Sequence, residues 1–291
     1  ADVAVERLEG PALRSAAPLL SPRFRLAMRV PAGAYVSDPG AYTQALQSLA
    51  ERLGVRTIRA EVRGGRFDAG RLRALRLSSA AGMRDPGDDW PVSQVVVASG
   101  FGSAALMKAL SRAVGGPALR VRLASERGYH LVLPGQLPWP QPVMPSDGRM
   151  AVTLTPEGLR VAGQVELASP DAPPDWHRVR VLWRHAKRVL SPEGSAALGL
   201  GAAELASDDP PPNATRWMGH RPSTSDGLPV IGPVRGCEGL FVAYGHGHVG
   251  LATAPLTAAA VVGWLERGLE GAQAVLGPVV AQACAPERFG R

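Results

Sequence analysis

Arg221 is the side chain in this sequence best suited to holding an anion. It lies in Gly219-His220-Arg221-Pro222, where glycine and proline prescribe the backbone. Arginine offers a planar fork of donors that matches a carboxylate. Downstream, Asp226-Gly227 reads as a turn and Leu228 to Ile231 as a short strand. On spacing alone, a surface arginine beside a turn fits these residues at least as well. A second stretch runs from Gly239 to Tyr244 as a short apolar strand, through Gly245-His246-Gly247-His248-Val249-Gly250, into a small-residue helix from about Ala252 to Leu269. Such a junction bares backbone N–H groups at a helix N-terminus, where a phosphate or a ring carbonyl gaining negative charge is stabilised. Glycine lets a ligand approach because no Cβ intervenes. A plain strand-to-helix turn has the same pattern. Val95-Val96-Val97-Ala98-Ser99-Gly100 repeats the logic more weakly. Cys237 and Cys284 sit in no metal-ligand spacing, so neither a metal site nor a disulfide framework is expected.

The elements that must position these residues follow from periodicity. Asp38-Pro39 starts a helix whose apolar residues Tyr42, Ala45, Leu46, Leu49 and Leu53 recur at helical spacing, and Gly54 ends it. Leu8 to Leu20 reads as a short helix, Val55 to Val62 as a strand and Gly64-Gly65 as a turn. Arg71 to Arg76 is ambiguous, and Asp85 to Asp89 reads as loop. Val92 to Ala98 is a strand and Ala104 to Val114 a helix. Val121 to Leu133, Ala151 to Leu154 and Leu159 to Leu167 read as antiparallel strands, the last two a hairpin around Pro156-Glu157-Gly158. Trp176 to Leu190 is helical, and the tail beyond Gly277 reads as loose. Strand–helix pieces at 38–62, 92–114 and 239–269 thus flank a β-rich middle, which implies an α/β domain interrupted by an antiparallel insert.

The 291 residues are 45% hydrophobic and 20% charged, an ordinary globular composition that excludes disorder and collagen. A net charge of +7 and a pI near 10.2 raise the question of nucleic acid. The basic residues are nearly all arginines, with Lys108 and Lys187 the exceptions, and they are dispersed along the chain without aromatic platforms. A solvated basic surface is the better reading, and no nucleic-acid partner is expected. No run of about 18 apolar residues is present, so no integral membrane segment is expected. No charged n-region with an apolar run opens the chain, so no signal peptide is expected either. A cytoplasmic protein, at most peripheral to the inner membrane, follows as an expectation.

The joint order Gly219-His220-Arg221-Pro222, Asp226-Gly227-Leu228-Pro229-Val230-Ile231-Gly232, then Gly245-His246-Gly247 and Gly250, resembles the C-terminal half of FAD-dependent D-amino acid dehydrogenases. These belong to the D-amino acid oxidase and glycine oxidase superfamily. Upstream, Gly33 to Leu53, Gln94 to Ser103 and Glu126-Arg127-Gly128-Tyr129-His130 resemble further segments of that family, so the likeness covers most of residues 5–270. It implies an α/β (α+β) chain: part of an FAD-binding Rossmann-like domain with an antiparallel β-rich substrate domain inserted. The implied divisions are 1–30 as a substrate-domain or linker segment, 31–117 as FAD domain, 118–215 as substrate domain, 216–275 as FAD domain again, and 276–291 as tail.

By that resemblance Arg221 pairs with the substrate carboxylate. Gly245, His246, Gly247, His248, Val249, Gly250 and Leu251 hold the flavin ring together with Gly219. Ser99 and Gly100 lie by the FAD ribose and diphosphate, and Val62 touches adenine. Tyr129 and His246 are candidate catalytic residues, although packing and hydrogen bonding are the plainer readings of both. The implied reaction takes a D-amino acid to a 2-oxo acid and ammonia, with hydride passing from Cα to flavin N5 and the imine hydrolysed. A glycine, sarcosine or hydroxyproline oxidase-type relative is the alternative. The family opens with a strand, Gly-x-Gly-x-x-Gly and a helix for the ADP half of FAD; this chain does not open so. A fragment, a degenerate paralogue, and a split subunit whose missing half comes from a second polypeptide are the three readings of that difference.

Overall fold

The computed structural model describes residues 3–79, 89–114, 121–139 and 141–289. It divides into two compact units, one of Ala1–Arg56, Arg127–Glu166 and Asp171–Gly219, the other of Thr57–Glu126, Leu167–Pro170 and His220–Arg291. Residues 31–56, expected with the FAD-binding portion, group with strands of the first unit. The loop expected from Asp85 falls, up to residue 88, outside the described residues.

The first unit is built on a four-stranded sheet in the order Thr215–Ser223, Ala124–Leu133, Gly158–Leu167, Met150–Thr155. Strand alternation sends Tyr129, Leu131, Leu133, Leu159 and Val161 to one face. There they bury against Val179, Leu182, Trp183 and Ala186 of helix His177–Val189. His130 and Arg160 are consequently on the other face. The hairpin expected around Pro156 is present, with Thr155 paired to Gly158. Gly158 has φ +142°, and a Cβ there would sit inside the Leu133 carbonyl. Of the helix expected over Leu8 to Leu20, only Gly10–Ala16 forms. Glu6–Glu9 before it pairs instead as a strand with Leu26–Arg29, and Pro11 suits the first turn of the shortened helix. Helix Pro39–Arg52 starts as expected: the Asp38 carboxylate accepts the Ala41 N–H at 2.9 Å. None of its residues is buried, and Tyr42, Leu46 and Leu49 lie exposed.

The second unit has two three-stranded sheets. In one, Leu240–Tyr244 is central, antiparallel to Val230–Pro233 and parallel to Val95–Val97. In the other, Ala60–Asp68 pairs antiparallel with Arg71–Ser79, which pairs with Trp90–Pro91. Gly64 and Gly65 are not a turn. They sit inside the first strand, beside a register shift between Val62 and Gly64, and both are buried. A Cβ on Gly65 would meet Leu72 at 2.9 Å and Leu110 of helix Ser103–Val114 at 3.0 Å, so the glycine serves close helix packing. The turn lies at Ala69-Gly70, both with positive φ. Leu72, Val97, Met107, Leu110, Leu240 and Val242 form the core.

The helical segment Gly250–Leu276 breaks at Gly268, whose φ of +65° and ψ of −148° are not helical. The tail is not loose. Pro278–Cys284 is a helix that buries Ala281 and Cys284, and the turn Pro286–Phe289 follows it. Arg288 anchors this end: Nε donates to Asp226 Oδ2 at 2.7 Å and Nη2 to the Leu228 carbonyl at 2.7 Å. The hydrogen bond from Arg288 draws the Asp226 carboxyl down to about 2.

Two measurements test these packing arguments. Gly158→Ala combines a positive φ with a backbone collision, so urea unfolding should show a loss of about 2 kcal/mol or more. Asp226 has a depressed folded pKa, so its contribution is present above the unfolded value and is lost as pH falls from about 4 to about 2. Asp226→Asn should lower stability at pH 7 by about 1 kcal/mol, a figure discounted for the exposure of the pair. It should also flatten the acid limb of the Tm–pH curve.

Candidate functional site

Parallel strands end at the same edge of a sheet, so Val95–Val97 and Leu240–Tyr244 deliver their following loops side by side. The first loop passes through Ser99 and Gly100 into a single 3-10 turn and helix Ser103–Val114. Gly100 has φ +57°, and a Cβ there would meet nothing within 4 Å, so the turn is open. Ser99 and Ser103 hydroxyls lie 3.1 Å apart. In the second loop Gly245 has φ +85°, and a Cβ would press on Thr224 at 2.9 Å. Gly247 has φ +53°, and its N–H donates to the Pro222 carbonyl at 3.0 Å, tying the loop to the Arg221 segment. His246 bridges to Ser223 through the backbone, and its Nε2 lies 2.9 Å from Thr257 Oγ1. Burial lowers its pKa, so the imidazole is neutral at pH 7.

The helix then begins at Gly250, and Val249 supplies no side-chain cap. The first-turn N–H groups have no intrahelical acceptors. Val249 and Leu251 are 53% and 40% exposed, so this end is open to a ligand. Gly245, Gly247 and Gly250 also have Gly-x-Gly-x-x-Gly spacing between a strand and a helix, which the reading of the sequence passed over. A dinucleotide turn leads through its helix to a second parallel strand. Here the helix leads into helix Pro278–Cys284, so the glycine spacing reflects loop geometry and not a complete dinucleotide fold.

Arg221 stands on strand Thr215–Ser223, and its Nη1 is buried with no partner among the described residues. Burial lowers its pKa, opposed by the charge of Glu126. Glu126 is the residue the sequence reading missed. It accepts the Ser223 hydroxyl at 2.7 Å and pairs with His248 Nε2 at 2.8 Å. Its role depends on strand neighbours nearly a hundred residues away, and no local pattern reports them. Beside it, the Ser125 hydroxyl lies 2.8 Å from His220 Nδ1, and Phe101 stacks on the His220 ring. The second unit therefore gathers Arg221, His246, His248, Val249, Gly250, Leu251, Gly245, Gly247, Ser99 and Gly100. Val62 belongs to the same unit, half-buried opposite Leu77.

Tyr129 and Gly219 belong to the first unit. Tyr129 is 1% exposed. Its hydroxyl donates to Glu166 at 2.5 Å and accepts the Asp175 N–H at 3.0 Å. Burial, reinforced by Glu166, raises its pKa. Both hydrogen-bonding capacities of the hydroxyl are thus spent within the protein, as its packing alternative requires. Glu166 also faces the fully buried Arg127 at 3.5 Å, which donates to the carbonyls of Ala172 and Pro173. Gly219 lies beneath the Trp217 indole, which any Cβ there would strike.

The family model described as DAO, FAD dependent oxidoreductase, matches residues 1–264, and the chain belongs to this family. It is 34% identical over 250 residues to a D-amino-acid oxidase of Bradyrhizobium diazoefficiens, covering 86% of this chain and 53% of that protein. It is 30% identical over 233 residues to a D-amino acid dehydrogenase of Xanthobacter autotrophicus, covering 78% and 48%. The chain spans about half the length of the curated relatives it matches. Glycine oxidase from Geobacillus kaustophilus superposes with a TM-score of 0.69 at 24% identity, over 91% of this chain and 63% of that one. L-proline dehydrogenase from P. horikoshii does so with a TM-score of 0.72 at 16%, over 99% and 69%. The fold is theirs. No helix among the described residues is long and apolar enough to cross a membrane.

Glu166→Ala should cost about 3 kcal/mol by thermal unfolding, because it removes the one carboxylate that Arg127 and Tyr129 share. Glu166→Gln should cost less.

Proposed function

We propose that the second unit carries the flavin and substrate-carboxylate end of an enzyme that oxidises the Cα–N bond of a D-amino acid. The observation that carries the reading is the buried, unpartnered Nη1 of Arg221, on a segment pinned by the Gly247 N–H. A buried guanidinium donor without an acceptor is costly, and a substrate carboxylate would satisfy it. The residues present fit FAD. The uncapped helix start at Gly250 presents N–H groups and a partial positive charge, and Gly100, where a Cβ would meet nothing within 4 Å, leaves the neighbouring turn open. The ring would rest on Gly245 to Leu251, and Ser99 and Gly100 would face the ribose and diphosphate. Val62 would lie toward adenine. FAD, when bound, supplies the two-electron acceptor.

The rest of the chemistry falls to the chain. Arg221 fixes the carboxylate and so orients Cα. Neutral His246 holds Thr257 and with it the start of the helix. Glu126 sets His248 and Ser223 beside the arginine without neutralising it, since its oxygens are already engaged. The amine proton passes to water. The relatives at 30% identity or more, a D-amino-acid oxidase and a D-amino acid dehydrogenase, favour D-amino acids over glycine or an imino acid. Residues beyond these 291 would hold the ADP half of FAD, in the same chain or in a second polypeptide.

The test is flavin absorbance retained after desalting, followed by anaerobic addition of D-alanine and other D-amino acids. Bound flavin that bleaches supports the reading. Arg221→Met should then raise KM about a hundredfold, with the smaller effect on kcat. Bound flavin indifferent to every D-amino acid would overturn it.

A further inference from the structure

We propose that the first unit contains a binding site for an aromatic carboxylate, in the cavity between strand residues His130, Arg160 and Trp217 and the start of helix Pro39–Arg52. The cavity is about 540 Å³, within the range of small-molecule sites. Arg160 supplies its charge. One nitrogen donates to His130 Nδ1 at 3.1 Å, and its Nε is buried without a partner among the described residues. Arg160 has no ion-pair partner among the described residues. A buried guanidinium donor of this kind calls for an anionic acceptor.

The walls explain why the anion should carry a ring. Trp217 and His130 stack with centroids 5.0 Å apart and planes 16° from parallel, yet Trp217 remains 52% exposed. An indole held flat and half-open is a ready surface for a further ring. The imidazole does not compete for the ligand's charge. Burial, aided by Arg160, lowers its pKa to about 4, so it is neutral at pH 7. The other ionised groups at the cavity are accounted for. Asp38 is committed to the Ala41 N–H, Glu157 is solvent-exposed, and Arg216 lies over the Trp176 ring at 4.5 Å. Neither acid meets Arg160.

The experiment is isothermal titration of the protein with phenylacetate, and with phenylacetamide as its uncharged counterpart. Phenylacetate should bind, and the amide about tenfold more weakly, the difference one charge-assisted bond makes. Arg160→Gln should weaken phenylacetate about tenfold. Trp217→Leu, at an exposed position that leaves the core intact, should weaken it about fivefold. The Trp217 variant carries the test if the Arg160 variant fails to fold, as circular dichroism would show. The Arg160 and Trp217 losses should persist in an Arg221→Gln background, which removes the other open guanidinium. Absence of binding to the wild type, equal binding of the amide, or loss of binding in Arg221→Gln with no further loss from the cavity variants would each overturn the proposal. The last would place the ligand on Arg221.

Discussion

The parallel pairing of Val95–Val97 with Leu240–Val242 is the constraint on which the second unit depends. Three residue pairs join segments more than 140 positions apart. Because the strands run the same way, two glycine-containing turns emerge at one sheet edge, each followed by a helix start. An antiparallel pairing of the same strands would put the turns at opposite ends. The backbone-donor cluster thus follows from strand direction. The side chains of Leu240, Val242 and Val97 are buried in the core beneath it, and the Gly247 N–H bond to the Pro222 carbonyl ties down the second turn.

Within that frame the polar residues fall into two kinds. Arg127, Tyr129 and Glu166 satisfy one another and the carbonyls around them, and this network fixes a strand to the loop at Ala172 and Pro173. Arg221 and Arg160 each have a buried nitrogen with no acceptor among the described residues, and there, unlike Arg127, neither has a carboxylate in ion-pair range. Buried polar groups in proteins are nearly always partnered, so an arginine left open is more informative about ligands than one that is paired. Similar residue types on similar strands therefore lead to opposite conclusions, and a facing carboxylate, present for Arg127, separates them.

Elements with strong local signals were legible in the sequence. Asp38-Pro39 announced a capped helix, and the hairpin around Pro156 and the run Val95-Val96-Val97 formed where periodicity placed them. The failures share one cause. Gly64-Gly65 looks like a turn by composition, but Leu110 of a later helix presses against Gly65 and needs the missing Cβ. The tail looked loose, but Arg288 meets Asp226 some sixty residues upstream. Arg221 and the Gly245–Gly250 loop could be singled out in the sequence because their residue types and spacing are local. Glu126 could not, because its partners Ser223 and His248 come from distant segments. Tyr129, also singled out, has its hydroxyl engaged by Glu166 and the Asp175 N–H, contacts that no local pattern reports.

The long separation within the central sheet of the second unit also bears on how the chain is made. Val95–Val97 leaves the ribosome about 140 residues before its partner Leu240–Tyr244 exists. At about 5–20 residues per second, that is roughly seven to thirty seconds during which a β-branched apolar strand has an open edge. The first unit needs residues only to Gly219, so it can close in that interval. Its closure shortens the loop that the late strand must span, and so lowers the entropy cost of the final pairing. The Gly245–Gly250 loop is thus synthesised after every segment of the first unit, and its placement waits on the last strand of its sheet.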